Sequence, residues 1–349
     1  MYRRLAETGA LDLEVVFLAE KEPDRPWDLG ALLEGVPYQI LPGFTPSVRS
    51  RRNTFVYEIN PGILKLLRSE PWDVLVVGGY AVFAEQVAIA YARAARIPYI
   101  LHSESHLSKQ RSGILRAAKR AVLPMVVGNA AAGLAVGSAA ARYLEAYGLP
   151  RGRIRIVPNT IDVEDHGRRA AEARDNAAAI RARLDLPERY VLYVGRLIEA
   201  KGVGDLVSAL ELLGDDAPVL VAAGEGPMAD TLAATPHVQL VGFQEHDRLV
   251  ELYALADAFV LPSRDEPWGV VVNEALACGT PVIVTDAVGA AEDLVTEGAN
   301  GVIVPVGDVR SLAEALAGPY PTGRDGRIAR WTYEFAVEQF LDGISLALS

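Results

Sequence analysis

Cysteine is nearly absent from this sequence. Cys278 is the single cysteine among 349 residues, so no disulfide can form within the chain and no zinc site can be built from several cysteines. Long apolar runs are missing too. No run approaches the roughly 18 residues that a membrane-spanning helix needs, and the first residues lack the apolar stretch of a secretion signal. These absences predict a protein that stays in the cytoplasm.

An excess of basic residues is also missing. The chain carries 34 Lys and Arg against 45 Asp and Glu, a formal net charge of −11. Nucleic-acid binding needs clustered positive charge, so the balance argues against nucleic acid as the main partner. The content of 50% hydrophobic and 23% charged residues is typical of a globular protein, and the length suffices for two domains. A small-molecule enzyme fits these bounds.

Strands and helices alternate along the first half of the chain. Residues 13–18, 72–79 and 98–102 have the apolar pattern of buried strands, and residues 80–96 that of a helix. This alternation predicts a parallel, doubly wound sheet, in which ligands meet the carboxyl ends of the strands. His102 stands at such an end and is a candidate contact in a cleft, although a purely structural histidine is the alternative.

The second half opens with a strand that ends in a Gly-Arg pair. Gly195 and Arg196 follow the apolar run 190–194, and Lys201 comes five residues later at the start of a predicted helix. Glycine lets the backbone approach a diphosphate, while guanidinium and ammonium groups neutralise its charge. The spacing therefore favours a phosphate site over unrelated basic residues on the surface.

Two glutamates flank the start of a later predicted helix. Glu266 lies in the loop after a short strand at 258–261, and Glu274 lies about one turn inside the helix that Gly279 ends. The free N–H groups of a helix N-terminus favour phosphate oxygens, whereas carboxylates there suit sugar or ribose hydroxyls. A nucleotide sugar satisfies both, and an ordinary loop and helix with two solvated glutamates is the alternative.

The run Glu266-Pro-Trp-Gly-Val-Val-Val-Asn-Glu274-Ala-Leu-Ala resembles the E-x7-E signature of family 4 glycosyltransferases. Gly195-Arg196 with Lys201-Gly202 resembles the phosphate site of that family, and Val241-Gly-Phe243 resembles the segment whose backbone meets the nucleobase. The resemblance implies an α/β fold of two Rossmann-like domains facing a cleft (GT-B). It places an acceptor-side domain at 1–160, a donor-binding domain at 161–330, and at 331–349 a helix that crosses back onto the first domain.

The resemblance implies a retaining transfer of a sugar from a UDP- or GDP-sugar to a hydroxyl acceptor. Arg196 and Lys201 would stabilise the departing diphosphate, and Glu266 would hold a hydroxyl of the transferred sugar. His102 would face that sugar from the first domain. Metal-dependent glycosyltransferases of another fold hold the diphosphate through an Asp-x-Asp pair. Since this chain has none, we expect no metal and no cofactor.

Further donor contacts follow from the same resemblance. Glu274 would hold the ribose. The remaining contacts, mostly through backbone atoms, are Gly195, Gly242, Phe243, Trp268, Gly269, Val270 and Val271.

Other functions remain open at this point. An epimerase or a phosphorylase acting on nucleotide sugars could share the fold, as could a non-catalytic nucleotide-sugar binding module. Gly224, Gly226 and Ala229 also match a Gly-x-Gly-x-x-Ala dinucleotide motif, with Glu245 as its acidic residue. A lone match of this kind is weak evidence.

Two further expectations concern the first domain. The basic segment Lys109–Arg120 is either a solvated helix face or a patch for an anionic acceptor or the inner membrane surface, which would make the protein peripheral there. Residues 2–9 resemble the end of the first helix of the family, so we expect that the strand before it is missing and that the natural chain starts upstream. A strand not recognised in the sequence is the alternative.

Overall fold

The computed structural model describes residues 1–19, 35–44, 47–49, 54–56, 59–107, 122–321 and 326–349. Only the backbone of 47–49 and 54–56 is described. The segment Lys109–Arg120 lies outside the described residues, so its membrane contact stays a prediction.

The strands described in the first domain form three separate groups. A four-stranded parallel sheet has the order β5-β6-β7-β8, β1 pairs in parallel with β2 alone, and β3 and β4 form an antiparallel pair. The elements are α1 Tyr2–Glu7, β1 Val15–Phe17, β2 Tyr38–Ile40, β3 Ser47–Arg49, β4 Thr54–Val56, α2 Ile63–Leu67, β5 Leu75–Val77, α3 Phe83–Ala95, β6 Tyr99–Ser103, β7 Ala132–Ala135, α4 Ser138–Ala146 and β8 Ile154–Ile156. The upstream start of the chain stays a prediction.

The second domain is built on a six-stranded parallel sheet. Its strand order is β11-β10-β9-β12-β13-β14. The elements are α5 Val163–Asp175, α6 Ala177–Leu184, β9 Val191–Val194, α7 Val203–Leu213, β10 Leu220–Ala223, α8 Ala229–Ala233, β11 Val238–Gly242, α9 His246–Leu255, β12 Ala258–Leu261, α10 Val270–Ala277, β13 Val282–Thr285, α11 Gly289–Leu294, β14 Gly301–Val304, α12 Val309–Ala317 and α13 Tyr333–Leu348.

The central strands of this sheet are apolar runs because helices cover both faces. Every residue of β9, β10, β12 and β13 is buried. The chain winds outward from β9 in one direction and from β12 in the other, so the order reverses between these two neighbours. Ligands of doubly wound sheets bind at the carboxyl ends of the strands at such a reversal. The α/β architecture expected from the sequence is confirmed.

The segment that enters the second domain consists of the two helices α5 and α6. Asp162 caps α5 by accepting a hydrogen bond from the N–H of Asp165 at 2.9 Å. Ala170 and Ala173 are buried, and α5 packs on α9 and α10. These small residues let α5 lie close to its neighbours without a run of large apolar side chains.

The last helix returns to the first domain. α13 packs on β7 and β8, and the Gly343 backbone lies so close to the sheet that a Cβ there would be 2.5 Å from Leu134. Thr160 in the connection between the domains donates a hydrogen bond to the carbonyl of Trp331. This bond joins the connection between the domains to the segment that precedes α13. None of the helices in the described part of the chain combines the length and apolarity that crossing a bilayer requires.

Candidate functional site

The loops after β9 and β12 are pressed against each other. Lys201 ends a short 3-10 turn at Glu199–Lys201, and Gly202 follows with φ of 72°. A Cβ at Gly202 would lie 1.8 Å from the carbonyl oxygen of Pro262, so only glycine fits there. Arg264 also donates its backbone N–H to the carbonyl of Ala200 at 2.9 Å. This contact fixes where Lys201 stands relative to the β12 loop.

Lys201 and Glu266 form an ion pair at this junction. The ammonium donates to Oε2 of Glu266, and the side chains are only 20% and 12% exposed. The Glu266 backbone is anchored because Gly289 donates its N–H to the Glu266 carbonyl at 2.9 Å. The structure thus brings together two residues that the sequence assigned to one site.

A buried tyrosine lies beneath this pair. Tyr193, on β9, donates its hydroxyl to the carbonyl of Arg196 at 2.9 Å. Burial raises the pKa of Tyr193, the nearby Glu266 carboxylate raises it further, and Arg196 lowers it. Arg196 itself is exposed. Arg196 lies two residues beyond β9 and Glu266 pairs with Lys201 in the loop region after the same strand, so an anion and hydroxyls could be held together here.

The helix α10 begins beside Glu266. Gly269 precedes it with φ of 92°, and the N–H groups of Val270 and Val271 lie in its first turn, where the helix offers no acceptor. The Trp268 side chain is 3% exposed and donates a hydrogen bond from Nε1 to Asn273 at 3.0 Å. Its ring packs on that of Trp331, with the ring centroids 5.0 Å apart. The Trp268 indole therefore serves packing, which leaves only its backbone for a ligand.

Glu274 faces α9 instead of the Lys201–Glu266 pair. Tyr253 donates its hydroxyl to Oε2 of Glu274 at 2.9 Å. Burial raises the pKa of the Glu274 carboxyl to about 7, and the Tyr253 hydrogen bond lowers it. His166 and His246 lie beside it, with one ligand atom from each of the three residues within 4.8 Å of the others. Sequence reasoning missed this grouping because its members come from three helices with no local motif.

The end of β11 offers an exposed aromatic ring. Gly242 closes the strand and accepts a hydrogen bond from the N–H of Gly224 at 2.8 Å. Phe243 follows and is 67% exposed. An apolar ring left in water at a strand end is suited to contact a flat ligand such as a nucleobase.

Packing accounts for the glycines of the dinucleotide-like motif. A Cβ at Gly224 would lie 1.9 Å from the carbonyl oxygen of Gly195, and one at Gly226 would lie 2.4 Å from that of Leu197. Gly195 in turn donates its N–H to Ala223 at 3.0 Å. Close packing between the β9 and β10 loops therefore explains both glycines. The motif is not evidence of a dinucleotide site.

His102 lies on β6 in the first domain. Its Nε2 is buried and has no hydrogen-bond partner within the described residues. Burial lowers the pKa of His102, and the nearby Glu104 raises it. The structure does not bring His102 into contact with Lys201 or Glu266 directly. A polar atom of this kind is satisfied when a ligand supplies the missing partner.

The domains meet through contacts that the sequence did not reveal. His106 and Asp265 form a pair at 2.9 Å, joining the loop after β6 to the loop that carries Glu266. Asp293 accepts hydrogen bonds from the N–H and the hydroxyl of Ser138 at 2.8 and 2.6 Å. It thereby caps α4 from the other domain. These contacts hold the first domain over the β12 end of the sheet.

Known sequences and structures resemble both halves of the chain. Residues 1–160 match a profile of the glycosyl transferase 4-like domain, and residues 177–318 match a profile of glycosyl transferases group 1. A putative teichuronic acid biosynthesis glycosyltransferase, TuaC of Bacillus subtilis, is 32% identical over 298 residues, 81% of this chain and 71% of that protein.

Other relatives match in part or in fold. A glycogen synthase of Mycobacterium tuberculosis is 38% identical over 199 residues, which cover 53% of this chain and 45% of its own length. Among solved structures, Anabaena Alr3699/HepE in complex with UDP superposes with a TM-score of 0.71 at 19% identity, covering 95% of this chain and 91% of that one. At this identity the superposition establishes the shared fold.

Proposed function

Since this chain belongs to the family 4 glycosyltransferases and has their GT-B fold, we propose that it moves a sugar from a nucleotide diphosphate sugar to a hydroxyl acceptor with retention of anomeric configuration. The donor is a UDP- or GDP-sugar, and the product belongs to a glycan, a glycolipid or a glycosylated metabolite. No cofactor takes part in the proposed reaction.

One observation supports this proposal most directly. The shielded Lys201–Glu266 pair sits where the strand order reverses, between the β9 and β12 ends. A diphosphate would offer Lys201 a new anionic partner, and a sugar hydroxyl would donate to the carboxylate thus released. Lys201 and Glu266 together suit a ligand that carries both phosphate and hydroxyl groups.

The reaction breaks the bond between the anomeric carbon and the diphosphate oxygen. Negative charge develops on the diphosphate, and Arg196 and Lys201 stabilise it. The acceptor oxygen attacks the face that the diphosphate leaves, and its proton passes to the departing phosphate. Glu266 holds a hydroxyl of the sugar ring as positive charge develops there. The reaction is accelerated because these charged groups are held where charge develops, and no covalent enzyme intermediate forms.

The rest of the donor fits the surrounding elements. Glu274 takes the ribose hydroxyls, the backbone at Gly242 and Phe243 meets the base, and the first-turn N–H groups of α10 meet phosphate or sugar oxygens. The UDP complex of the Anabaena protein supports a uridine donor as the first choice. His102 faces the sugar from the acceptor side, where its buried Nε2 lacks a partner among the described residues.

Release of free nucleotide tests the proposal. The protein is incubated with UDP- or GDP-sugars, with and without a panel of glycan, lipid-linked and small-molecule hydroxyl acceptors. A transferase releases nucleotide in step with a glycosylated product, and proton NMR of that product shows the anomeric configuration of the donor. Sugar conversion without an acceptor would indicate an epimerase, a phosphate requirement would indicate a phosphorylase, and binding without turnover would indicate a binding module.

A further inference from the structure

Three side chains of the second domain converge at a point that the proposed reaction uses only in part. His166 comes from α5, His246 from the start of α9 and Glu274 from α10. One ligand atom from each lies within 4.8 Å of the others, and the two imidazole rings meet edge to face with centroids 4.8 Å apart. His246 is exposed, so this point opens to solvent on one side.

The orientation of His166 is fixed. Its Nδ1 lies 2.7 Å from the carbonyl oxygen of Asp162. A carbonyl can only accept, so Nδ1 carries the proton and Nε2 bears the lone pair. Nε2 is buried without a partner in the described part of the chain, and the residue is 3% exposed. A histidine that donates through one ring nitrogen to a backbone carbonyl and leaves the other free is the usual arrangement of a metal ligand.

Glu274 is held in a matching way. Tyr253 donates to its Oε2 and so fixes the carboxyl group, as outer hydrogen bonds do for metal-binding carboxylates. Arg169 lies near His166 and is already engaged with Asp247 at 2.7 Å and Asp165 at 3.6 Å. Its charge is therefore largely balanced and opposes a second cation only weakly.

We propose that His166, His246 and Glu274 bind a divalent transition metal ion, with Zn²⁺ as the ion that fits best. Two imidazoles and one carboxylate suit zinc, whereas magnesium and calcium favour oxygen ligands alone. Bonds of about 2.0–2.2 Å would bring tetrahedral ligand atoms to roughly 3.3–3.6 Å from one another. Small rotations of the three side chains would supply that contraction. The fourth position, on the solvent side, takes water.

The consequence for the enzyme is inhibition. Glu274 is also the residue assigned to the donor ribose, so an ion bound there removes its carboxylate from the donor. This consequence rests on the proposed function, but metal binding itself does not. The expected lack of a metal at the diphosphate is a separate matter, since the three ligands do not include Lys201 or Glu266.

Calorimetric titration of the whole chain with Zn²⁺ tests the binding. We expect one ion per chain, and Co²⁺ in its place should give the visible absorption of a four-coordinate ion. The exposed His246 allows a variant that keeps the fold, His246→Ala. This variant should weaken zinc binding at least about a hundredfold. Loss of a residue that only supports a metal ligand costs about 10–100-fold in affinity, and loss of a ligand itself costs more.

His237→Asn is the matched control. His237 is exposed and lies at the start of β11 with φ of 63°, a conformation that asparagine tolerates. Its zinc affinity should equal that of the unmodified chain. Binding of no zinc at all, or equal affinity in His246→Ala and the unmodified chain, would overturn the proposal.

Turnover of the nucleotide sugar tests the consequence separately. Free Zn²⁺ is fixed with a metal buffer, so that chelation by the nucleotide does not change it. Zinc at its dissociation constant should raise the donor KM of the unmodified chain about twofold, by simple competition, and leave that of His246→Ala unchanged. If zinc binds but both proteins keep their KM, the metal site stands and the shared use of Glu274 is wrong. If the chain turns over no nucleotide sugar, the titration still decides the metal site.

Discussion

Lys201 and Glu266 are the two side chains on which the proposed chemistry depends most. They are paired, and their side chains remain 20% and 12% exposed, so each charge is compensated by its partner while water still reaches both. In the proposed reaction, donor binding would exchange this pairing for two others, phosphate with lysine and hydroxyl with carboxylate. The free enzyme thus keeps both charges compensated and in place, which limits the reorganisation that binding requires.

We predict that Lys201→Ala and Arg196→Ala lower turnover much more than stability. In the proposed reaction each cation would face the charge that develops on the diphosphate, and a single such donor is worth roughly 3 kcal/mol, or about a hundredfold in kcat. Steady-state kinetics and thermal unfolding measure the two effects. Lys65→Ala, an exposed lysine on α2, is the control. Unchanged turnover in both Lys201→Ala and Arg196→Ala would contradict the assignment.

The two glutamates should give different kinetic signatures. Glu274→Ala should raise the donor KM and leave kcat nearly unchanged, because a ribose contact is equal in the ground and transition states. Glu266→Ala should lower kcat as well, since it holds a hydroxyl on the ring where charge develops. Initial rates over a range of donor concentrations separate the effects. Identical signatures in the two variants would refute this division of roles.

Residues differ in how far the sequence predicts their place. Lys201 and Glu266 could be assigned to one site, because their motifs follow strands of a parallel sheet, whose carboxyl ends lie at the same edge. The His106–Asp265 pair could not, because it depends on how the two domains approach each other. Glu274 lies about one turn inside α10, as the sequence predicts, and its side chain faces α9. Helical spacing does not tell which neighbouring helix a residue one turn inside will contact.

At the scale of elements, the contact between the β9 and β12 loops fixes the position of Lys201 relative to Glu266. We predict that Gly202→Ala destabilises the fold by about 3 kcal/mol or more, since a Cβ would meet the Pro262 carbonyl at 1.8 Å in a left-handed conformation. Denaturant unfolding measures this. Gly326→Ala has a similar left-handed conformation, with φ of 71° and ψ of −1°, but has nothing within 4 Å of the added Cβ, so it should cost only about 1 kcal/mol. Equal costs would argue against the close contact.

The element boundaries were mostly predictable where burial is uniform. Strands such as β12 and β13 are continuous apolar runs, which reflects a parallel sheet covered on both faces. The helix α5 has a weaker signal in the sequence, because its buried residues are alanines and a histidine within a charged segment. The short helix α11 was also not foreseen, and its Glu292 and Asp293 carry contacts to the first domain.

For the whole molecule, the capping of α4 by Asp293 couples the domains. Asp293→Ala should cost about 1 kcal/mol, as loss of a helix cap does, and should raise the donor KM by loosening the first domain. Thermal unfolding and initial rates measure the two effects. Glu314→Ala, at an exposed position on α12, should change neither. An Asp293→Ala variant indistinguishable from the unmodified chain would show that this contact does not couple the domains.

We also predict that the reaction needs no divalent metal. Arg196, Lys201 and the start of α10 would neutralise the diphosphate in place of an ion. Turnover should therefore persist in EDTA, and it should rise if zinc had occupied the site formed by His166, His246 and Glu274. Loss of activity in EDTA that magnesium or manganese restores would contradict this prediction.

Donor binding tests the central claim most directly. Thermal unfolding is followed with a panel of UDP-, GDP- and ADP-sugars, for the unmodified chain and for Lys201→Ala. The account predicts that at least one nucleotide diphosphate sugar raises the Tm of the unmodified chain, and that Lys201→Ala loses most of this rise. No rise with any member of the panel, or an equal rise in both proteins, would contradict the account.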